Sequence, residues 1–589
     1  MVDVRPSRFS EIVFGYDSSE TESSRRPELL TRGFVDVGQV IEELVSGDRF
    51  IVIGNKGSGK SAIAEHLNLS STSTRLVNVT RLSEFPYSDL KKIVEGESEE
   101  RRYPLAWSWL LLLNFLGSFA SDEGGNARED CDLLELTNAL EANGLLSSTS
   151  LKDLARASRR KRQFILHLPL GVKFESNQEI EDGLRFPFFV ERLLSTVLRF
   201  RSNTQHLLVL DDLDDVLNAP PGMQLSSLAS LITESKRINE AFRRQHIRAK
   251  IILLCRTDLF DRLPSSNSNK IRQDDSLRLD WYTPEVDNSL LWCVANVRAT
   301  MHCGYQVDVA NEYLPEVVQG SGKVRVLPKI PASTKEYLLR QTRHTPRDFV
   351  MLLKYIQEQT KGVSVRPNDL ANGLLQYATC YFRPEVHNEL GGYFEDSQIS
   401  RFLDEFGKMR DGLFRVEQFE AGLPVRLRSM ARSFLEVLFD CSAIGNWERG
   451  EGQGIRTFRY RFPHCRVNFN EPLVLHPALG LAFNAAYIEN VPSGTLVGTG
   501  TSQARSGESN DFFQDFQTGK VLKIGGTSGV IQGADHKMYR FGVTDIRNSN
   551  QVRLCVGDLV KFQPVFSTVG NPFSEAKDVH LRSNDTTSS

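Results

Sequence analysis

At 589 residues the chain is too long for one hydrophobic core, and three or four domains is the expectation that length sets. Hydrophobic residues make up 40% and charged residues 25%, with a mean hydropathy of -0.30, the composition of an ordinary globular protein. A net charge of -3 excludes a global bias toward nucleic acid, so any basic surface must be local.

Residues 1–45 read as a lead-in, with a polar loop over 17–26 and helical spacing over 35–44. Such a segment would lie across a nucleotide base. Phe50-Ile-Val-Ile53 is an apolar strand that runs into Gly54-Asn55-Lys56-Gly57-Ser58-Gly59-Lys60-Ser61, and 62–67 reads as a helix. This is G-x-x-x-x-G-K-[ST] between the strand and helix it requires. The glycines let successive N–H groups turn inward around a phosphate chain, and the helix N-terminus adds its positive end. Lys60 would reach the β- and γ-phosphates, and the Ser61 hydroxyl would take one position on Mg2+. ATP and Mg2+ are the expected ligands.

A long helical stretch separates this loop from the next catalytic signal. Residues 103–119 read as a buried helix with Trp107 and Trp109, followed by shorter helices over 133–146, 151–157 and 186–200. Arg156-Ala-Ser-Arg-Arg-Lys-Arg162 is a basic cluster, read as a solvated helix end in preference to a phosphate contact. His206-Leu-Leu-Val-Leu210 is a strand ending in Asp211-Asp212-Leu-Asp214-Asp215. Asp211 at its tip would orient Mg2+, and Asp212, Asp214 or Asp215 would orient the attacking water. The next strand, 250–255, ends at Arg256, which either senses a γ-phosphate or pairs with Asp258 or Asp261. Lys270, Arg272 and Arg278 follow as candidates for a cation offered to a neighbouring subunit.

Residues 284–375 are largely helical by period. Within them Thr345 can cap a helix with Pro346 at its first position. Arg347 then falls in the first turn, where a cation works against the helix dipole unless a polyphosphate favours it. From 376 to 490 helices over 399–406 and 425–439 precede two alternating segments, 457–462 and 465–469, expected as strands. Helices followed by a β-ribbon suggest a winged helix, expected to serve packing and regulation because no strongly basic recognition helix is evident. Residues 491–512 are a Gly/Ser/Thr-rich linker. Five short strands over 519–524, 529–532, 538–543, 558–562 and 576–581, with glycine turns, describe a small barrel of OB type in 513–589.

The eight cysteines are scattered with no C-x-x-C, which fits reduced thiols better than a disulfide frame or a zinc site; His302-Cys303 and His464-Cys465 lack a second ligand pair. No apolar signal region opens the chain, and the longest apolar run, 110–116, is interrupted by Asn114 and too short to span a bilayer. A soluble cytoplasmic protein without a membrane partner is the expectation.

Gly54–Ser61, Asp211–Asp215, Arg256 and Thr345-Pro346-Arg347 stand in the order of P-loop, Walker B, sensor 1 and sensor 2. Over roughly 10–485 the chain resembles the AAA+/STAND branch of P-loop ATPases, close to the origin-recognition and NACHT-like types. Phe50-Ile-Val-Ile-Gly-Asn-Lys-Gly-Ser-Gly-Lys-Ser-Ala62 is similar to a family of bacterial P-loop ATPases, some of which resemble proteins of phage-defence loci. The resemblance implies an α/β P-loop core over 46–283 with a helical insertion at about 85–190, a helical lid, Mg-ATP binding, hydrolysis or nucleotide-gated switching, and homo-oligomers, with an effector protein as a further partner. Many AAA+ enzymes carry Asp-Glu at Walker B. Here it is Asp211-Asp212, whose shorter second carboxylate points to slow, switch-like turnover. The C-terminal unit is similar to a cold-shock domain, which implies single-stranded nucleic acid at Lys520, Lys523, Tyr539 and Phe541. Residues 519–582 hold nine Lys/Arg against five Asp/Glu. Yet Lys523, Ile524 and Val530 stand where that family has aromatics, so a protein-docking barrel is the alternative.

Overall fold

The computed structural model describes residues 7–483, apart from 84, 95–97, 147–149, 161–181, 214–222, 264–267, 321–325, 329–330, 410–411 and 450–453, and in the C-terminal part 517–525, 528–533, 538–542, 558–565 and 574–581. The chain divides into two compact units, Met1–Leu496 and Val497–Ser589. The expected linker over 491–512 lies outside the described residues.

The first unit is built on a five-stranded sheet. Its strands are β1 (Ile51–Gly54), β2 (Arg75–Arg81), β3 (Gln205–Asp211), β4 (Ala249–Arg256) and β5 (Ser276–Arg278), in the order β2-β3-β4-β1-β5. Every pairing is parallel. Period-2 alternation sends β1 side chains to two cores. Ile51 and Ile53 join Leu208, Leu210 and the insertion helices on one face, while Val52 joins Leu207, Val209, Ile63 and Leu67 on the other. All four β1 residues are buried, so the strand can hold its C-terminal end rigidly in the middle of the sheet.

Between β2 and β3 lie helices Tyr87–Ile93, Glu99–Ser121, Cys131–Ala142, Leu151–Arg160 and Asp182–Val197. One helix among the described residues is long and apolar enough to cross a membrane, Glu100–Ser121, and 67% of its apolar window is buried inside the protein. Its indoles donate inward, Trp107 Nε1 to Ser227 O at 3.1 Å and Trp109 Nε1 to Ser158 Oγ at 3.0 Å.

The lid holds helices Leu290–Cys303, Thr334–Arg340, Pro346–Gln359 and Pro367–Gln376. The domain boundary expected at 375/376 falls inside a continuous helical run. Pro367–Gln376 passes through a π-helical turn, Tyr377–Phe382, into Arg383–Leu390, and the residues at both junctions keep α-helical φ and ψ. The following layer has helices Asp396–Gly407, Val416–Gly422, Val425–Arg428 and Ala431–Asp440. They cover a small sheet whose strands, with β6 (Val317–Val318) and β7 (Ala332–Ser333) pairing separately, are β8 (Leu413–Phe414), β9 (Ile444–Arg449), β10 (Gly454–Thr457) and β11 (Leu473–Leu475), in the order β10-β9-β11-β8. The ribbon thus forms earlier than the expected strands at 457–462 and 465–469. The alternating rings of Phe458 and Tyr460 instead stack 5.5 Å apart and reach His476 and His344. The lid and this layer, the part expected as a winged helix, share one core with the lead-in residues Phe9, Ile12 and Phe14.

The second unit is a closed five-stranded barrel: β12 (Gln517–Gly525), β13 (Ser528–Gly533), β14 (Met538–Gly542), β15 (Leu559–Val565) and β16 (Ser574–Leu581), ordered β12-β13-β14-β16-β15. Its interior is Val521, Ile531, Tyr539, Phe541, Val560, Phe562 and Val579. Tyr539 is 0% and Phe541 3% exposed, which corrects the expectation that they present rings to bases. They stand two apart on β14 and so share its inward face. The Phe541 ring also fills the space beside Gly529, where a Cβ would come within 2.4 Å of it.

Candidate functional site

The loop after β1 is shaped by glycine. Gly57 and Gly59 have φ of +77° and +94°, and a Cβ at Gly54 would meet Ser58 Oγ at 2.3 Å. Ser58 Oγ is buried without a hydrogen-bond partner. Helix Lys60–Leu69 starts from Gly59 with no side-chain cap, so its first N–H groups stay available to an anion. Lys60 Nζ folds onto the loop, donating to Gly54 O and Asn55 O at 3.0 Å each. Ser61 stands in the first turn.

Asp211 is 2% exposed at the tip of β3. Asp212 follows with φ of +56°, a left-handed conformation costly for a non-glycine residue. Asp214 and Asp215 lie outside the described residues. Of the five described non-glycine residues with positive φ, Asp212 follows the β3 tip, while His344 and Ser442 line the clefts described below. Beside β3, Arg256 is in the ion-paired arrangement: Nε and Nη2 meet Asp258 Oδ1 and Oδ2 at 3.0 and 2.9 Å. Tyr393 OH donates to the same carboxylate at 2.6 Å. Burial alone would raise the Asp258 pKa, but Arg256 and the Tyr393 hydrogen bond outweigh it and hold the carboxyl below its usual range.

The start of helix Pro346–Gln359 lies against the loop. Thr345 Oγ1 accepts from Asp348 N at 3.2 Å, with Pro346 as the first helical residue. Arg347 N donates to Gly57 O at 3.3 Å, and a Cβ at Gly57 would lie 3.2 Å from Arg347 Cβ. Trp281 Nε1 donates to Ser58 O at 2.8 Å. Under this helix, Arg343 is 5% exposed, and its side chain makes two bonds to Asp348 (2.8 and 2.9 Å) and one to Glu389 (2.6 Å), with its backbone N donating to Asp348 at 3.1 Å. This buried network ties the helix that carries Arg347 to helix Arg383–Leu390.

Three residues at the mouth had no signal in the sequence. Glu385 Oε1 takes Lys56 Nζ at 3.2 Å and Arg347 Nη1 at 3.3 Å, and Asp17 of the lead-in lies 3.9 Å from Arg347 Nε. Trp281 sits in a stretch read only for its cations. Of those cations, Lys270 is exposed, Arg272 is paired with Asp261, and Arg278 lines a cleft of about 350 Å3 with Ser58, His344 and Tyr460. A larger cleft of about 590 Å3, open to solvent, runs from Asn55 and Lys56 past Arg256 and Asp258 to Tyr393 and Arg459. Arg459 joins the layers by pairing with both Asp440 and Asp261.

Elsewhere, Arg426, Arg428 and Arg432 are exposed on the layer that follows the lid, where Arg432 pairs with Glu420 at 3.3 Å. On the barrel Lys520 and Lys523 are exposed, and Arg540 is exposed on β14, where it pairs in register with Val530, the partner of Lys523.

A parallel sheet thus carries a glycine-rich loop after β1, two acidic residues at the end of β3, with β4 between the two strands, and a helix bearing Arg347 against the loop. No family model and no curated protein sequence matches the chain. Among solved structures, it is similar to the Orc1 protein of Aeropyrum pernix in complex with DNA, at 13% identity over 78% of this chain and 94% of that one, with a TM-score of 0.33. It is also similar to Cdc6p from Pyrobaculum aerophilum, at 12% identity over 80% and 95%, with a TM-score of 0.27. Likenesses this loose carry no argument about fold or function, which rest on the residues above.

Proposed function

We propose that the chain is a regulatory ATPase of AAA+ type, a nucleotide-gated switch that binds Mg-ATP and hydrolyses it slowly. The observation that carries this reading is the docking of the lid helix, with Arg347 in its first turn, directly on the Gly54–Ser61 loop. The loop N–H groups, the open helix N-terminus and Lys60 bind the phosphates. Ser61 and Asp211 offer only hydroxyl and carboxylate oxygens, a donor set that suits a hard cation. They would hold Mg2+, which when bound supplies positive charge beside the β- and γ-phosphates. Asp212 holds the attacking water, with Asp215 as its alternative. Arg347 reads the terminal phosphate from the lid. Arg256 reads it only by leaving Asp258.

The barrel, an OB-type unit akin to cold-shock domains, serves as sensor. With Tyr539 and Phe541 in its core, its contact with single-stranded nucleic acid rests on Lys520, Lys523 and the phosphate backbone. Homo-oligomers, an effector partner and phage defence complete this reading and rest on the sequence resemblance, and the cytoplasm rests on the scattered cysteines and the absence of an apolar signal region at the start of the sequence. The alternative is a nucleic-acid-binding scaffold that uses ATP structurally, and the Arg256–Asp258 pair favours it.

One assay separates the two readings: ATP binding and turnover of wild type and Lys60→Ala, with and without single-stranded RNA or DNA. Losing the lysine should weaken Mg-ATP binding roughly ten- to a hundredfold, the worth of one charged hydrogen-bonding group. Turnover that rises with nucleic acid and is lost on deleting 513–589 supports the sensor. Binding without turnover, with undiminished nucleic-acid affinity in Lys60→Ala, supports the scaffold. Nucleic-acid binding that survives the deletion points to Arg426, Arg428 and Arg432. A wild-type protein that binds no Mg-ATP overturns both.

A further inference from the structure

Three cations face the mouth of the loop, and each is engaged by the protein itself. Lys60 lies on the carbonyls of Gly54 and Asn55. Lys56 and Arg347 converge on a single carboxylate oxygen, Glu385 Oε1. The Glu385 side chain is only 11% exposed, and a carboxylate so placed is stable only with its cations in position. Burial acts to raise its pKa, but Lys56, Arg343 and Arg347 outweigh that and keep it lowered, so it stays an anion. One oxygen with two cations around it is the charge pattern of a terminal phosphate oxygen between a loop lysine and a lid arginine. Its position in the chain matters equally. Glu385 stands on Arg383–Leu390, the end of the helical run that leaves the lid and leads into the winged-helix layer.

We propose that Glu385 is a built-in competitor of the terminal phosphate: it pairs with Lys56 and Arg347, and a nucleoside triphosphate takes them from it. This rests on the Mg-ATP reading above and adds its regulation. The triphosphate pays for breaking two ion pairs, whereas a diphosphate, which ends one phosphate short, leaves them in place. The switch then distinguishes the two nucleotides by which one frees Glu385, and with it the helix at the head of the winged-helix layer. Glu385 is a positioning residue in this scheme and touches no substrate.

The experiment is nucleotide binding by full-length protein, wild type against Glu385→Gln, titrated by calorimetry with the Mg2+ complexes of a non-hydrolysable ATP analogue and of ADP. Removing the competitor should tighten the triphosphate analogue roughly tenfold, within the usual range of coupling free energies, and leave ADP within about twofold. Glu385→Asp, which withdraws the carboxylate by one methylene and disturbs folding less, should shift the triphosphate in the same direction by a smaller factor. Hydrogen exchange supplies the second readout. In the wild type the triphosphate analogue should speed exchange in 383–390 and ADP should not. Equal effects on both nucleotides, or none, with wild-type binding intact, overturn the competitor and leave the ATP reading standing. If neither protein binds either nucleotide, both fall.

Discussion

His476 is kept neutral chiefly by burial, in one tautomer fixed by its hydrogen bonds. Its Nε2–H donates to Thr342 O at 3.1 Å, and its Nδ1 accepts the Ala478 N–H at 3.3 Å, capping helix Pro477–Ala482. Phe382 stacks on it at 4.7 Å. A second proton would turn Nδ1 into a donor facing another donor. Burial, with Arg343 nearby, pushes its pKa down to about 3. His344, under Tyr460 and near Arg461, is also pushed down to about 3, again chiefly by burial. Since the unfolded chain titrates near 6.5, it binds more protons than the folded chain between these values, and stability falls as pH drops. We expect the denaturant midpoint of the first unit to hold above pH 6.5 and then to fall, at about 1 kcal/mol per histidine for each pH unit. His476→Gln should flatten that slope while lowering stability at neutral pH. A midpoint that is level down to pH 5 would contradict the assignment.

Among the elements, those written in short contiguous signals were legible in advance. The Gly54–Ser61 loop needs glycine at fixed places, β3 and β4 are unbroken apolar runs, and the Thr345-Pro346 start of the lid helix is a local cap. β2 was not legible, because this edge strand is only half covered and mixes Arg75, Asn78 and Arg81 with its apolar residues. The ribbon was misplaced because Phe458 and Tyr460 alternate for the sake of ring stacking, which mimics strand period. Glu385 could not be found, since its partners lie far away in sequence and nothing around it is unusual. The barrel strands were visible from glycine and β-branched spacing, but which aromatic faced inward was not. The consequence for Phe541 is testable. Phe541→Ala should cost the barrel about 3–5 kcal/mol, as a buried ring lost from a small core does, seen as early melting of that unit. Nucleic-acid affinity lost with no change in melting would return Phe541 to the surface role.

For the whole molecule, the two units have separate cores, and each contains the hydrophobic contacts needed to unfold cooperatively. Calorimetry of the full chain should therefore show two transitions, and removing 497–589 should delete the smaller one and leave the larger in place. A single merged transition would mean that the units depend on each other for stability. Between the lid and the layer that follows it no such separation is expected, because the two share one core.

The lead-in carries a further consequence, for the order of events at the ribosome. Phe9 N donates to Val363 O, and Gln357 Nε2 donates to Phe9 O and Ile12 O at 2.6 and 2.7 Å. These residues thus dock on a helix completed more than three hundred residues further along the chain. The sheet can close once β5 has emerged, but Phe9 and Ile12 lack part of their native partners until translation passes Val363. Contacts of such long sequence separation form late and leave apolar surface open to wrong partners meanwhile. The segment that finally locks the lid is therefore the one most in need of shelter while the chain is being made.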